Sequence, residues 1–337
     1  MTETPLQSPI TKEGSIKMEM FAMFNKVFFV MVEIFLIILC GFLFLKFKII
    51  KKEAVSGLTS LTINLFSPCL IFSHLIKNFS FNALNNWWVY PILGVFVSIF
   101  GLIVAKMFLL VNKSIAQKNE FSALIGFQNC GYMPLVFVAG VFPEALAKDL
   151  FTVIFLFVQG FNVIFWSLGV HLLSAKSTQL NIKKILNPPF IALTISFILI
   201  ALNLKNAVPL PLLDASHLIG ECTLPIALFT LGAILSINFE HIFKLTSFSV
   251  KVIIAKLIVM PALCLLGLMV FKMPQIMALL LIIETAMPSA VNNSIVSYNN
   301  QANAPIISQG VFFTHILSVL TIPLFIVLFT SLGIGVR

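Results

Sequence analysis

Ten apolar stretches, each close to the length that crosses a bilayer, divide this chain. A hydrocarbon core about 30 Å thick needs roughly 20 residues of helix. On that ruler spans fall near 27–46, 58–77, 88–111, 121–142, 149–173, 188–204, 216–237, 248–271, 274–297 and 305–330. The linkers are short, so each helix must return beside its predecessor. Composition agrees: 59% of residues are hydrophobic, 10% are charged, and the mean hydropathy is +1.07, whereas soluble domains carry about 25% charged residues. The fold class is therefore an all-α integral membrane protein, with the lipid bilayer as its first partner. Residues 1–25 are expected as a polar, disordered tail. The first apolar run reads as an uncleaved span, being too long for a signal peptide and followed by KFKIIKKE where a small-residue cleavage site should stand. Cys40, Cys69, Cys130, Cys222 and Cys264 all lie in apolar runs, with no CxxC and no His/Cys cluster, so neither a disulfide framework nor a thiolate metal site is expected.

Lysine placement predicts orientation. Loops 1–2, 3–4, 5–6 and 7–8 hold Lys46, Lys48, Lys51, Lys52, Lys106, Lys113, Lys118, Lys176, Lys183, Lys184, Lys244 and Lys251, twelve in all. The other side has eight basic residues: Lys12, Lys17, Lys26, Lys77, Lys148, Lys205, Lys272 and Arg337. Positive loops stay in the cytoplasm, which puts both termini on the non-cytoplasmic side of a plasma (inner) membrane. The net charge of +9 is then topology, and no soluble face exists on which a nucleic acid could bind.

Two motifs recur at nearly one offset. LFSPCLIFSHL holds Pro68 and TLPIALFTLGAIL holds Pro225, 157 residues on; Met133-Pro134 and Met287-Pro288 stand 154 apart. A five-plus-five duplication leaves this pattern, and because five is odd the second copy enters the membrane from the opposite side. The expected architecture is ten transmembrane helices in an inverted repeat, residues 26–175 and 176–337, with helices 4 and 9 broken. Breaks of this kind are tolerated at bilayer depth only where they face a cavity or protein. Proline lacks the N–H that a helix interior needs, and Gly131 lets the backbone leave the helix. Prolines that merely kink packed helices are the alternative, weakened by the polar side chains gathered at both sites.

The same residues resemble the auxin efflux carrier family, which includes the plant PIN-FORMED carriers and bacterial malate and malonate permeases. The resemblance rests on LTINLFSPCLIFSHL, GFQNCGYMPL, QGFNVIFWSLGVHLL, NPPFIAL, TLPIALFTLGAIL, AMPSAVNNSIVSYNN and SVLTIPLF in their order. It implies a bile acid sodium symporter-like architecture: scaffold helices 1, 2, 6 and 7, and transport-domain helices 3–5 and 8–10, with helices 4 and 9 crossing at prolines beside a small organic anion. Asn129 is the counterpart of the family's substrate-contacting asparagine, although Cys130 stands where small residues are usual. The long loop between spans 5 and 6 of the larger plant members is reduced here to about a dozen residues. The scaffold helices are the expected face for a homodimer.

No arginine lies in any span, so a carboxylate must be held by half-helix N-termini, each worth about half a positive charge. The neutral donors Gln128, Asn129, Asn292 and Asn293 would set geometry beside Gly131, Pro134 and Pro288. Gln159 and Asn162 share a helix face and line the cavity or bond neighbouring helices. Glu284, one turn before Pro288, sits near the midplane, where a bare carboxylate must be protonated, paired or ligating a cation. It is similar to the acidic turn that binds sodium in the bile acid sodium symporters, and is the expected coupling site for Na⁺ or H⁺, with His315 a second candidate for proton coupling. No cofactor beyond that ion is expected. Lys256 is expected to snorkel to the interface, His74 and His171 to be interfacial, and Trp87, Trp88 and Trp166 to belong to the aromatic belt. HExxH, GxSxG and P-loop signatures are missing, so the reading is a secondary carrier by alternating access and not an enzyme. An anion channel or a non-transporting receptor of the same fold is the alternative.

Overall fold

The computed structural model describes residues 9–174, 186–237, 245–300 and 302–334. Among these the chain is helical without a named strand. Helix α1 spans Pro9–Lys46, α2 Lys52–Asn78, α3 Val89–Val111, α4 Lys118–Gly126 and α5 Tyr132–Val141. Next come α6 Glu144–Leu172, α7 Pro188–Ala201, α8 Leu210–Ile237 and α9 Ser247–Val270. The chain ends with α10 Gln275–Ala286, α11 Asn292–Asn299 and α12 Ala304–Ser331. Seven helices are long and apolar enough to cross a membrane, α1 counted from Met18; α5, α7 and α10 are shorter apolar helices.

One expectation needs correction. Residues 9–25 belong to α1 rather than to a disordered tail, because KMEMFAMF offers Met, Lys and Glu, good helix formers that extend the ladder past the lipid. The apolar runs at 121–142 and 274–297 are both interrupted, the first into α4 and α5 and the second into α10 and α11, so the breaks expected in spans 4 and 9 are present. Lys176, Lys183, Lys184, Lys244 and Arg337, used in the lysine count, lie outside the described residues.

Proline shapes the long helices without ending them. In α2 a π turn at Thr62–Phe66 precedes Pro68, and in α9 a π turn at Ile254–Val259 precedes Pro261. Each proline withholds the N–H that would close the preceding turn, and widening that turn re-satisfies the freed carbonyls. A widened turn also rotates the side chains it carries. The largest contacts are α1 with the second half of α8, α3 with α6, and α2 with both α7 and α8. Glycines set the first two crossings: a Cβ on Gly232 would overlap the Ile38 carbonyl, and one on Gly160 the Pro91 carbonyl. Backbone therefore meets backbone there, as small residues permit in membrane bundles.

Candidate functional site

The two interrupted helices meet at their interruptions. Residues 127–131 and 287–291 run antiparallel, bridged at Gln128 and Ser289. The Asn129 N–H donates to the Pro288 carbonyl at 2.8 Å, and the Ala290 N–H donates to the Phe127 carbonyl at 2.8 Å. The carbonyls that end α4 need partners as well. Ser289 Oγ donates to Leu124 O at 2.5 Å, and the Asn293 amide reaches Ala123 O at 3.2 Å and Phe127 O at 3.4 Å. Thr314 Oγ1, from α12, accepts the Ser289 N–H at 3.3 Å. Each break thus supplies the hydrogen bonds that the other has lost, which is what non-helical backbone requires inside a membrane bundle.

Beside the crossing lies a cavity of about 430 Å³, bounded by α2, both breaks, α6, the start of α7 and α8. Gln128, Asn129, Gly131, Gln159, Asn162 and Asn292 all line it. Gly131 precedes α5 at φ −108, and a Cβ there would meet nothing within 4 Å, so its place needs no left-handed backbone. Asn129 is oriented from behind. His315 Nδ1 lies 2.8 Å from the Val311 carbonyl and takes the donor role there, leaving Nε2 to accept the Asn129 amide at 3.3 Å. The Gln159 amide donates to Phe155 O at 3.0 Å.

Four expected site residues stand elsewhere. Pro134 sits in the first turn of α5, where no N–H is needed; the break lies upstream of it, and the residue is buried outside the cavity lining. Pro288 lies in the second break and contributes its carbonyl to the crossing. Asn293 is fully buried as the cap on α4. Glu284, in the last turn of α10, is fully buried and neither oxygen has a hydrogen-bond partner among the described residues. Its polar neighbours are Gln128, likewise buried and unpartnered, and Lys256. Lys256 does not snorkel: the π turn at Ile254–Val259 carries it inward to full burial.

Other placements were not read from the sequence. Trp166 lines the cavity instead of joining an interfacial belt, and Thr59, Thr62, Ser67, Tyr132, Thr223 and Thr230 line it too. Ser67 Oγ lies 2.9 Å from the Tyr132 hydroxyl, joining α2 to α5. Threonines three and seven apart share a helix face, and that spacing was the available signal. His74 is a tie between helices, its Nε2 3.0 Å from the Lys148 carbonyl and 3.2 Å from Thr152 Oγ1. Among the described residues no group of three or more His, Cys, Asp or Glu could hold a metal ion.

A family model described as membrane transport protein matches residues 26–182 and 172–326. An uncharacterized transporter of Schizosaccharomyces pombe is 28% identical over 122 residues, 35% of this chain and 26% of that protein. An uncharacterized transporter of Methanocaldococcus jannaschii is 24% identical over 304 residues, 88% of this chain and 96% of its own length. Protein PIN-LIKES 2 of Arabidopsis thaliana is 25% identical over 97 residues, 28% of this chain and 21% of that protein. The chain thus spans about a quarter of the first relative, nearly all of the second and about a fifth of the third.

Proposed function

Because the chain belongs to the membrane transport protein family, the auxin efflux carrier family, we propose that this multi-pass protein is a secondary carrier moving a small organic anion, a carboxylate, by alternating access. The observation that carries the reading is the crossing of the two breaks beside the cavity. A carrier needs a site of polar backbone and neutral side chains at membrane depth, reached from one side at a time. The N-terminal ends of α5 and α11 border the cavity through Gly131, Tyr132, Val291 and Asn292. Their partial positive charge suits an anion.

The finer architecture belongs to the same proposal. Counting α4 with α5 and α10 with α11 as single spans gives ten, in two inverted repeats of five. Spans 1, 2, 6 and 7 (α1, α2, α7 and α8) are the scaffold, and α3–α6 with α9–α12 the moving domain. Thr59, Asn187, Trp166 and Ile234 line the cavity, and with loops 1–2, 5–6 and 7–8 read as cytoplasmic they support an opening toward the inner side. The His74 contacts to Lys148 and Thr152 tie α2 to α6 toward the outer side. The arrangement is that of an inward-facing carrier.

Charge and wall chemistry narrow the substrate. No lysine or arginine lines the cavity among the described residues, and much of the wall is apolar, including Leu70, Ile71, Leu135, Ile154 and Val158. One carboxylate can be held at the break, whereas a second would face hydrocarbon and incur its desolvation cost. A monocarboxylate with an apolar body fits better than a dicarboxylate. Glu284 is the carboxylate through which anion movement couples to a cation. Uptake of labelled indole-3-acetate, malonate and malate into proteoliposomes, with and without sodium or pH gradients, tests the reading. Saturable uptake should favour indole-3-acetate; an absence of saturable uptake of any acid would overturn the carrier assignment.

A further inference from the structure

Lys256 and Glu284 are the only Lys, Arg, Asp or Glu side chains that are buried among the described residues. They come from different helices that pack against each other, α9 through its π turn and α10, without a direct hydrogen bond between the two side chains. The π turn ahead of Pro261 directs Lys256 inward from α9, and this turn packs against α3, α4, α10 and α12. Glu284 arrives from the last turn of α10, and Gln128 from the first break. Lys256 Nζ, both Glu284 oxygens and both Gln128 amide atoms are buried with no hydrogen-bond partner among the described residues. Cys130, at the cavity wall, is the third titratable neighbour of the pair.

We infer that Lys256 is a tethered cation: its ammonium supplies the positive charge that a coupling sodium ion would otherwise bring to Glu284, so that the carrier runs without sodium. The inference rests on the carrier reading and narrows its coupling ion. An ammonium brings three donors and no acceptor, whereas Glu284 and the Gln128 oxygen bring acceptors. One acid and one base make the pair neutral as built. Adding Na⁺ would set two positive charges against one carboxylate in a medium that screens poorly. A sodium ion also requires several oxygens, and of Lys256, Glu284 and Gln128 the first brings only donors and a positive charge. Lysine at this place cannot be explained by interfacial solvation, because no part of it reaches the surface.

Thermal unfolding of the purified full-length protein reads the pair without requiring transport. Sodium chloride is titrated against choline chloride at constant ionic strength. Wild type should show no sodium-specific shift. Lys256→Gln removes the tethered charge and should gain a sodium-specific rise of about 2–4 °C, as a ligand that binds only the folded state produces. The rise should vanish when Glu284→Gln is added. A sodium-specific rise in wild type overturns the inference, as does a folded Lys256→Gln protein indifferent to sodium. If Lys256→Gln folds poorly, preparation in sodium rather than choline should rescue it, and failure of that rescue also counts against the inference. Transport assays on the same samples separate the two readings: wild-type uptake should be equal in sodium and choline, whereas absent uptake with the predicted thermal behaviour would sink the carrier assignment alone.

Discussion

At the residue scale, the site separates side chains that face the cavity from side chains that hold the crossing together. Asn129 does the first, with one amide N–H committed to His315 and the rest of its amide available at the wall. Asn293 does the second, capping α4 from full burial. Asn129→Ala should leave the protein well folded and lower substrate affinity roughly 5- to 150-fold, the effect of losing about 1–3 kcal/mol of polar recognition. Asn293→Ala should lower the thermal midpoint instead, because it removes the buried amide that ties α11 to the carbonyl end of α4. Equal affinity loss without destabilisation in both variants would erase this distinction. The sequence put both asparagines at the site because they flank matching prolines, yet it held no information on which way each amide turns. That depends on the partner break, more than 150 residues away in the chain. Lys256 was misplaced for a related reason: snorkelling assumes a regular helix, and the π turn before Pro261 rotates the side chain inward.

At the scale of elements, prolines and glycines have exchanged the roles that their types suggest. Pro134 starts a half-helix, so Pro134→Ala should change stability and affinity by less than about 1 kcal/mol. Gly160 admits the backbone of α3, and Gly160→Val drives a branched side chain into the Pro91 carbonyl. That overpacking should cost at least about 1–3 kcal/mol, because backbone cannot swing aside as a side chain can. Thermal midpoints in detergent check both, and a Gly160→Val protein as stable as wild type would contradict the close crossing. Span positions were legible because bilayer thickness imposes a length on each run, and Leu210–Ile237 and Ala304–Ser331 fall close to the apolar stretches. Helix ends inside the membrane were less legible. The break at 127–131 precedes its proline, and nothing in the run FSALIGFQNCGYMP fixes where the ladder stops.

At the scale of the whole molecule, the central claim is that a carboxylate binds beside the crossing and crosses the membrane with the moving domain. A carrier exchanges substrate for substrate, whereas a channel conducts without exchange. Counterflow in proteoliposomes reads that difference most directly. Vesicles preloaded with unlabelled indole-3-acetate are diluted into a trace of the labelled acid, with sodium replaced by choline. Wild type should accumulate label transiently above its equilibrium level, and Asn129→Ala should lose that overshoot while inserting normally. Label that merely equilibrates, at a rate indifferent to the internal acid, would contradict the account.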